Sequence, residues 1–239
     1  MSEQTQNRVA IVTGASQGIG ACLAEGLASD GYSLVLVARS KDKLEQIANR
    51  IKSITSSVTV ETYSLDIKDY DGIKRMVAFV QSKFGRIDLL INNAGLGSTG
   101  TLSVPLEHFD EILSVNLKGP FAMLQSVVPI METQGNGTII NISSRSGKVG
   151  FEDTGAYAAS KFGLGGLGES LYRELSPRGI KVATICPSWV DTEMSKHSAV
   201  PNEEKLPSED ILKTVRWILS LSPVAVVRDV VIECNKHIF

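Results

Sequence analysis

Apolar positions along the chain fall into two kinds of run that alternate almost from end to end. Short continuous runs rich in β-branched residues, at 8–13 (RVAIVT), 33–38 (SLVLVA), 58–65, 87–92 (IDLLIN), 137–143 (GTIINIS), 181–186 (KVATIC) and 229–233 (DVVIE), predict seven strands. Their lack of polar alternation is what burial on both faces demands. Longer amphipathic runs between them predict helices at 21–30, 41–53, 70–84, 106–134, 155–176 and 209–220. In the second of these, Leu44, Ile47, Ala48 and Ile51 recur at helical spacing. Strand and helix in regular alternation imply an α/β fold, a doubly wound parallel seven-stranded sheet with helices on both faces. No repeat or flexible linker divides residues 1–239, so one domain is expected, and the Pro-, Ser- and charge-rich stretch 187–208 reads as a loop over a site.

Composition narrows the function. With 239 residues, 43% hydrophobic and 21% charged, the chain can bury a large core and is not extensively disordered. Its 24 basic and 26 acidic residues give a net charge of −2, too little positive field to hold a nucleic-acid backbone. No apolar run reaches the roughly 18 residues of a membrane helix. The polar start MSEQTQNR lacks the features of a secretory leader, so a cytoplasmic protein without membrane partners is expected. Cys22, Cys186 and Cys234 are too scattered for a disulfide framework or a zinc site, and reduced thiols with no structural metal are expected.

Three local patterns carry chemistry. The first strand runs into Gly14, Gly18 and Gly20 and then a helix, a geometry that lets phosphates approach unpaired N–H groups at a helix N-terminus. The spacing Gly-x-x-x-Gly-x-Gly matches the general dinucleotide motif only in part, and a tight turn without ligand also accounts for it. Residues 14–18 also match the Gly-x-Ser-x-Gly elbow of serine hydrolases, with Ser16 as nucleophile, although no acid and histidine follow convincingly beyond Asp191 and His197. The second strand ends in Ala38, Arg39 and Ser40 with no acid to bind a ribose 2′-hydroxyl, and Arg39 can grip a 2′-phosphate, which favours NADP over NAD. Tyr157 and Lys161 lie four apart on one helix face, where an ammonium can lower a phenol's pKa toward the working range.

Together TGASQGIG (13–20), NNAG (92–95), Asn116, Ser144 and YAASK (157–161), in this order and spacing, resemble the short-chain dehydrogenase/reductase family over about residues 7–233. The resemblance implies a single Rossmann-type domain that transfers hydride between NADP(H) and a small-molecule carbonyl substrate. It implies Tyr157 as acid/base, Ser144 as hydrogen-bond partner of the reacting oxygen, and Lys161 holding the nicotinamide ribose and lowering the tyrosine pKa. Asn116 would anchor a water that relays protons to Lys161. Ser143 points to the opposite face by strand alternation and is expected to be structural.

For the cofactor, the resemblance assigns Gly14, Ser16, Gln17, Gly18 and Ile19 to the diphosphate and adenosine ribose, with Arg39 and Ser40 at the ribose. It places Asp66 and Ile67 at the adenine, and Asn93, Ala94 and Gly95 along the adenosine half. Pro187, Val190 and Thr192 fall at the nicotinamide. Three positions depart from the family pattern. Ser188 replaces a glycine, Gln17 stands where NADP-preferring members often carry a second basic residue, and the C-terminal VVRDVVIECNKHIF lacks the usual glycine-rich tail. That tail looks more like broad NADP-dependent carbonyl and hydroxy-acid oxidoreductases than like 3-oxoacyl-acyl-carrier-protein reductases, which stay the alternative. A non-catalytic NADP sensor or scaffold is the alternative of another class. Gly163, Gly165, Gly166 and Gly168 weaken the helix after Tyr157 unless another helix packs closely there, so a homodimer or homotetramer is expected. The substrate walls fall at 97–104, 145–155 and 187–207, where Arg145 and Lys148 are the main fixed cations beside Phe151 and Trp189, which suits a small or medium ketone or aldehyde.

Overall fold

The computed structural model describes residues 7–237, so the first six residues, and with them most of the polar start, lie outside the described residues. Seven strands form one all-parallel sheet: β1 (Val9–Thr13), β2 (Ser33–Ala38), β3 (Val60–Ser64), β4 (Leu89–Asn92), β5 (Gly137–Ile142), β6 (Ile180–Pro187) and β7 (Asp229–Ile232), in the spatial order β3-β2-β1-β4-β5-β6-β7. The order reverses between β1 and β4, and the crevice at that switch point is where an open α/β sheet places its ligand.

Alternation along each strand builds a core on both faces. Ala10 and Val12 of β1 point to one side, where they meet α1 (Gly18–Ser29), α2 (Lys41–Ile54) and α7 (Ser208–Ser220) through Leu27, Leu44, Ile51 and Val215. Val9 and Ile11 point to the other, against α3 (Tyr70–Phe84) and α5 (Gly119–Gln134) through Ile73, Met76, Met123 and Val127. Asp69 caps α3 by accepting a hydrogen bond from the Gly72 N–H, and Gly85, at φ 70°, ends it in the left-handed conformation. Among the described residues no helix is long and apolar enough to cross a membrane.

Two elements differ from the sequence reading. The helix expected at 106–134 is α4 (Leu106–Leu113) and α5 separated by a π-helical segment, Ser114–Lys118. The stretch 187–208, expected to be irregular, holds two short 3₁₀ turns at Glu193–Ser195 and Asn202–Glu204, and a parallel bridge between Val190 and Leu206 closes it at the base. The sixth helix, α6 (Gly155–Leu175), packs along β6, where Gly168 faces Thr184.

Candidate active site

The loop between β1 and α1 needs its glycines for two reasons at once. Gly14 and Gly18 hold φ values of +67° and +54°, which L side chains rarely adopt. A Cβ at Gly14 would lie 2.8 Å from Asn93 Nδ2, and one at Gly20 only 2.3 Å from the Gly14 carbonyl oxygen. Thr13 fastens the two loops together, its hydroxyl accepting from the Asn93 and Ala94 N–H groups at 3.0 Å each. The tight-turn and phosphate readings of this stretch therefore coincide. No side chain caps α1, and no acid stands in its first turn, so the helix's partial positive charge faces the groove unopposed. Ser16 and Ile19 lie half-buried on this loop. The loop fits a dinucleotide diphosphate.

Arg39 and Ser40 stand exposed at the end of β2. A neighbour missed by the sequence reading joins them: Lys43, in the first turn of α2, donates to the Gln17 amide oxygen at 2.9 Å. Nearby cations are matched with carboxylates, Lys41 with Glu45 at 3.8 Å and Arg50 with Glu25 at 2.7 Å. Lys43 instead rests on a neutral amide, so its charge is not cancelled by that partner. Its place in the first turn of α2, four residues after Arg39, was the available signal. Asp66, following β3, accepts from the Lys68 N–H at 2.9 Å, while Ile67 packs against Gly119 of α5.

Four polar side chains converge beyond the crevice. Ser144 follows β5, and its hydroxyl accepts from the Ser146 N–H at 3.1 Å, which fixes its rotamer. Tyr157 projects from the first turn of α6, and its hydroxyl hydrogen-bonds the Ser144 side chain. The tyrosine residue keeps some exposure while its hydroxyl is enclosed by protein, and this burial pushes its pKa up to about 12, with the Ser144 hydrogen bond opposing. Lys161, one turn further on, is buried and donates to the Ile142 carbonyl at 3.0 Å. Its Nζ lies 5.7 Å from the Tyr157 ring centroid. Burial lowers the Lys161 pKa to about 8, with Cys186 acting in the opposite direction. Burial and the Ser144 hydrogen bond set the direction of the tyrosine shift, while the Lys161 ammonium is aimed at the main chain.

Asn116 occupies the π-helical segment and is fully buried. Its amide clasps Leu96, accepting from the Leu96 N–H at 2.7 Å and donating to the Leu96 carbonyl at 2.9 Å, and it also donates to Ser160 Oγ at 3.0 Å. Gly95 is wedged between this amide and Lys161, for a Cβ there would be 3.6 Å from each. Ser143 turns away from the cluster, donating to the Lys161 carbonyl at 3.2 Å from a buried position.

The outer walls close over this floor. A Cβ at Gly18 would lie 3.1 Å from the Thr192 methyl group, and one at Gly97 would lie 3.2 Å from Met194 Cγ. Val190 is buried, Pro187 ends β6, and Trp189 is exposed. The cations of these walls are already engaged: Arg145 with Glu233 at 3.0 Å, Lys148 with Asp229 at 3.1 Å, and Lys205 with the Ser195 carbonyl at 2.8 Å. Of the α6 glycines, Gly163 accommodates Leu117, and Gly168 accommodates Thr184, where a Cβ would lie 2.6 Å from the hydroxyl. A Cβ at Gly166 would meet nothing within 4 Å.

The model of the family described as short chain dehydrogenase matches residues 8–203. The chain belongs to the short-chain dehydrogenase/reductase family. This member is an oxidoreductase, 36% identical over 217 residues to an uncharacterized oxidoreductase of Staphylococcus saprophyticus, a match covering 90% of this chain and 92% of that protein. Among solved structures, a beta-ketoacyl-[acyl-carrier-protein] reductase from Bacteroides thetaiotaomicron is 41% identical with a TM-score of 0.87, over 97% of this chain and 98% of the other. A metagenomic short-chain oxidoreductase solved in complex with NADP is 33% identical with a TM-score of 0.83, over 95% and 97%. Family membership leaves the hydrolase elbow around Ser16, with Asp191 and His197, without support.

Proposed function

We propose that this oxidoreductase uses NADPH to reduce a neutral ketone or aldehyde to an alcohol, reversibly. The observation that carries the reading is the convergence of Ser144, Tyr157, Lys161 and Asn116 at the crevice. NADPH, when bound, supplies the hydride. The substrate oxygen sits between the Ser144 and Tyr157 hydroxyls. Tyr157 gives it a proton as negative charge develops there, and the hydrogen bond to Ser144 favours the phenolate that forms. Lys161 holds the ribose hydroxyls and supplies positive charge beside the phenolate formed. The side chain of Asn116 is fully committed to Leu96 and Ser160, so a proton-relaying water would rest on its main-chain oxygen.

The uncapped α1 N-terminus, with Gly14 and Gly18, receives the diphosphate. Arg39, Ser40 and Lys43 face the 2′-phosphate, Asp66 and Ile67 the adenine, and Asn93 to Gly95 the adenosine half. Pro187, Val190 and Thr192 border the nicotinamide. A neutral substrate follows from the wall cations, which Glu233, Asp229 and the Ser195 carbonyl already occupy. A second reading, reduction of a 3-oxoacyl thioester on acyl carrier protein, is favoured by the 41% identity to the Bacteroides enzyme. We place the protein in the cytoplasm as a homodimer or homotetramer, with the open face at Gly166 beside exposed Phe162 as one contact, and light scattering tests the assembly.

NADPH oxidation measured against simple ketones, aldehydes and a 3-oxoacyl thioester, with NADH in parallel, tests the reading. Preferential turnover of simple carbonyls supports it, and a strong preference for the thioester selects the alternative. Tyr157→Phe is expected to lower kcat at least about 100-fold while NADPH affinity stays near that of the parent. NADPH binding without turnover of any carbonyl in the panel would shift the reading to the sensor role or to a substrate outside the panel.

A further inference from the structure

The C-terminal segment after β7 lies between two walls of the candidate substrate cleft and is bonded to both. On one side is the turn that follows Ser144. Arg145 is buried there, its Nε paired with Glu233 at 3.0 Å as a charge contact, and its Nη1 donates to the His237 carbonyl at 3.0 Å. Its guanidinium also lies 4.5 Å over the Phe151 ring. On the other side is the stretch 188–206. Glu204, in the second 3₁₀ turn of that stretch, receives Lys236 Nζ at 2.9 Å on one oxygen and His237 Nε2 at 2.7 Å on the other. The buried Cys234 thiol donates to the Trp189 carbonyl at 3.3 Å, and the Ser188 N–H donates to the Ile232 carbonyl at 2.7 Å.

We propose that residues 233–237 act as a strut that sets the separation of the two walls, making Glu204, Glu233 and His237 specificity-determining positioning residues. None of them touches the reacting atoms. Arg145 is adjacent in sequence to Ser144, so the strut fixes the distance from the reacting oxygen's hydrogen-bond partner to the wall bearing Trp189 and Met194. The stretch 188–206 is stiff within itself, because Lys205 Nζ joins the Ser195 carbonyl to the Asn202 side chain at 2.8 and 2.9 Å, and Leu206 bridges back to Trp189. A stiff wall held from outside at Glu204 moves as a unit when that hold is loosened. The width of the cleft, and hence the bulk of ketone accepted, is then a property of the tail. The inference rests on the carbonyl-reductase reading for its substrate, but not for its structural readout.

The test uses Glu204→Gln, which keeps the shape and removes the charge, with Glu204→Asp as the conservative control and Glu233→Gln for the other wall. Hydrogen exchange of residues 190–206 should speed up in Glu204→Gln and stay near parental in Glu204→Asp. The kcat/KM ratio of a small ketone to a bulky aryl ketone, each at saturating NADPH, should fall at least about fivefold in both glutamine variants, through KM of the bulky substrate. Unchanged exchange in Glu204→Gln would overturn the strut, as would unchanged selectivity in an active enzyme. If the parent protein reduces no carbonyl, the function reading fails instead, and the exchange result still decides whether the tail holds the wall.

Discussion

Lys161 shows how burial turns an ordinary side chain into a pH-sensitive one. Its folded pKa of about 8 lies below its ordinary value of 10.5, so between these limits the unfolded chain holds a proton that the folded chain has released. Stability from this group therefore rises with pH across that window, and its burden on the fold is fully present below pH 8. Tyr157, raised to about 12 from 10, acts in the opposite direction at higher pH, where the unfolded chain releases its proton first. Comparing urea unfolding of the parent with Lys161→Met isolates the lysine. The stability of the variant relative to the parent should fall by up to about 3 kcal/mol between pH 7 and 10.5, since hydrogen-bond and packing losses do not vary with pH. Lys43 belongs to the same scale. If its uncancelled charge faces a 2′-phosphate, Lys43→Met should weaken NADPH binding about tenfold and NADH binding hardly at all, as calorimetry with each dinucleotide would read.

At the scale of elements, the seven strands and their order of appearance were legible because fully buried parallel strands advertise themselves as continuous β-branched runs. The glycine loop, the Tyr157–Lys161 pair and the end of β2 were legible for similar reasons, each being a local spacing of distinctive residues. The break at Ser114–Lys118 was not, because SVNLKGPFAML carries helical periodicity straight through it and no glycine or proline falls between Leu106 and Lys118 to mark a stop. The Lys43–Gln17 contact joins residues 26 apart, and the pKa of Tyr157 depends on enclosure, so neither could be read from spacing. The glycines of α6 were read as a packing signal, and two of them meet neighbours in the same chain, Gly163 at Leu117 and Gly168 at Thr184. Gly168 faces Thr184 of β6 within the same chain, so Gly168→Ala should destabilise the fold by about 1–3 kcal/mol in urea unfolding, through a methyl group forced against the Thr184 hydroxyl. A Cβ at Gly166 would meet nothing in the chain within 4 Å.

For the molecule as a whole, the sheet order brings the two halves of the site together from distant parts of the chain. Thr13 reaches Asn93 and Ala94 across the β1–β4 switch, and the stretch beyond β6 arches back until Thr192 comes against Gly18. That last approach has a kinetic meaning. On the proposed reading, in which the α1 N-terminus receives a diphosphate, a wall lying against that helix would have to lift before a dinucleotide could enter or leave, whereas a small carbonyl compound would need only the cleft in front of it. Turnover should then be sequential, with the dinucleotide first on and last off, and its departure the slow event of each cycle. Product-inhibition patterns and stopped-flow release of NADP would show this as a compulsory order, with a release rate close to kcat. An enzyme built this way spends most of its time waiting to reload.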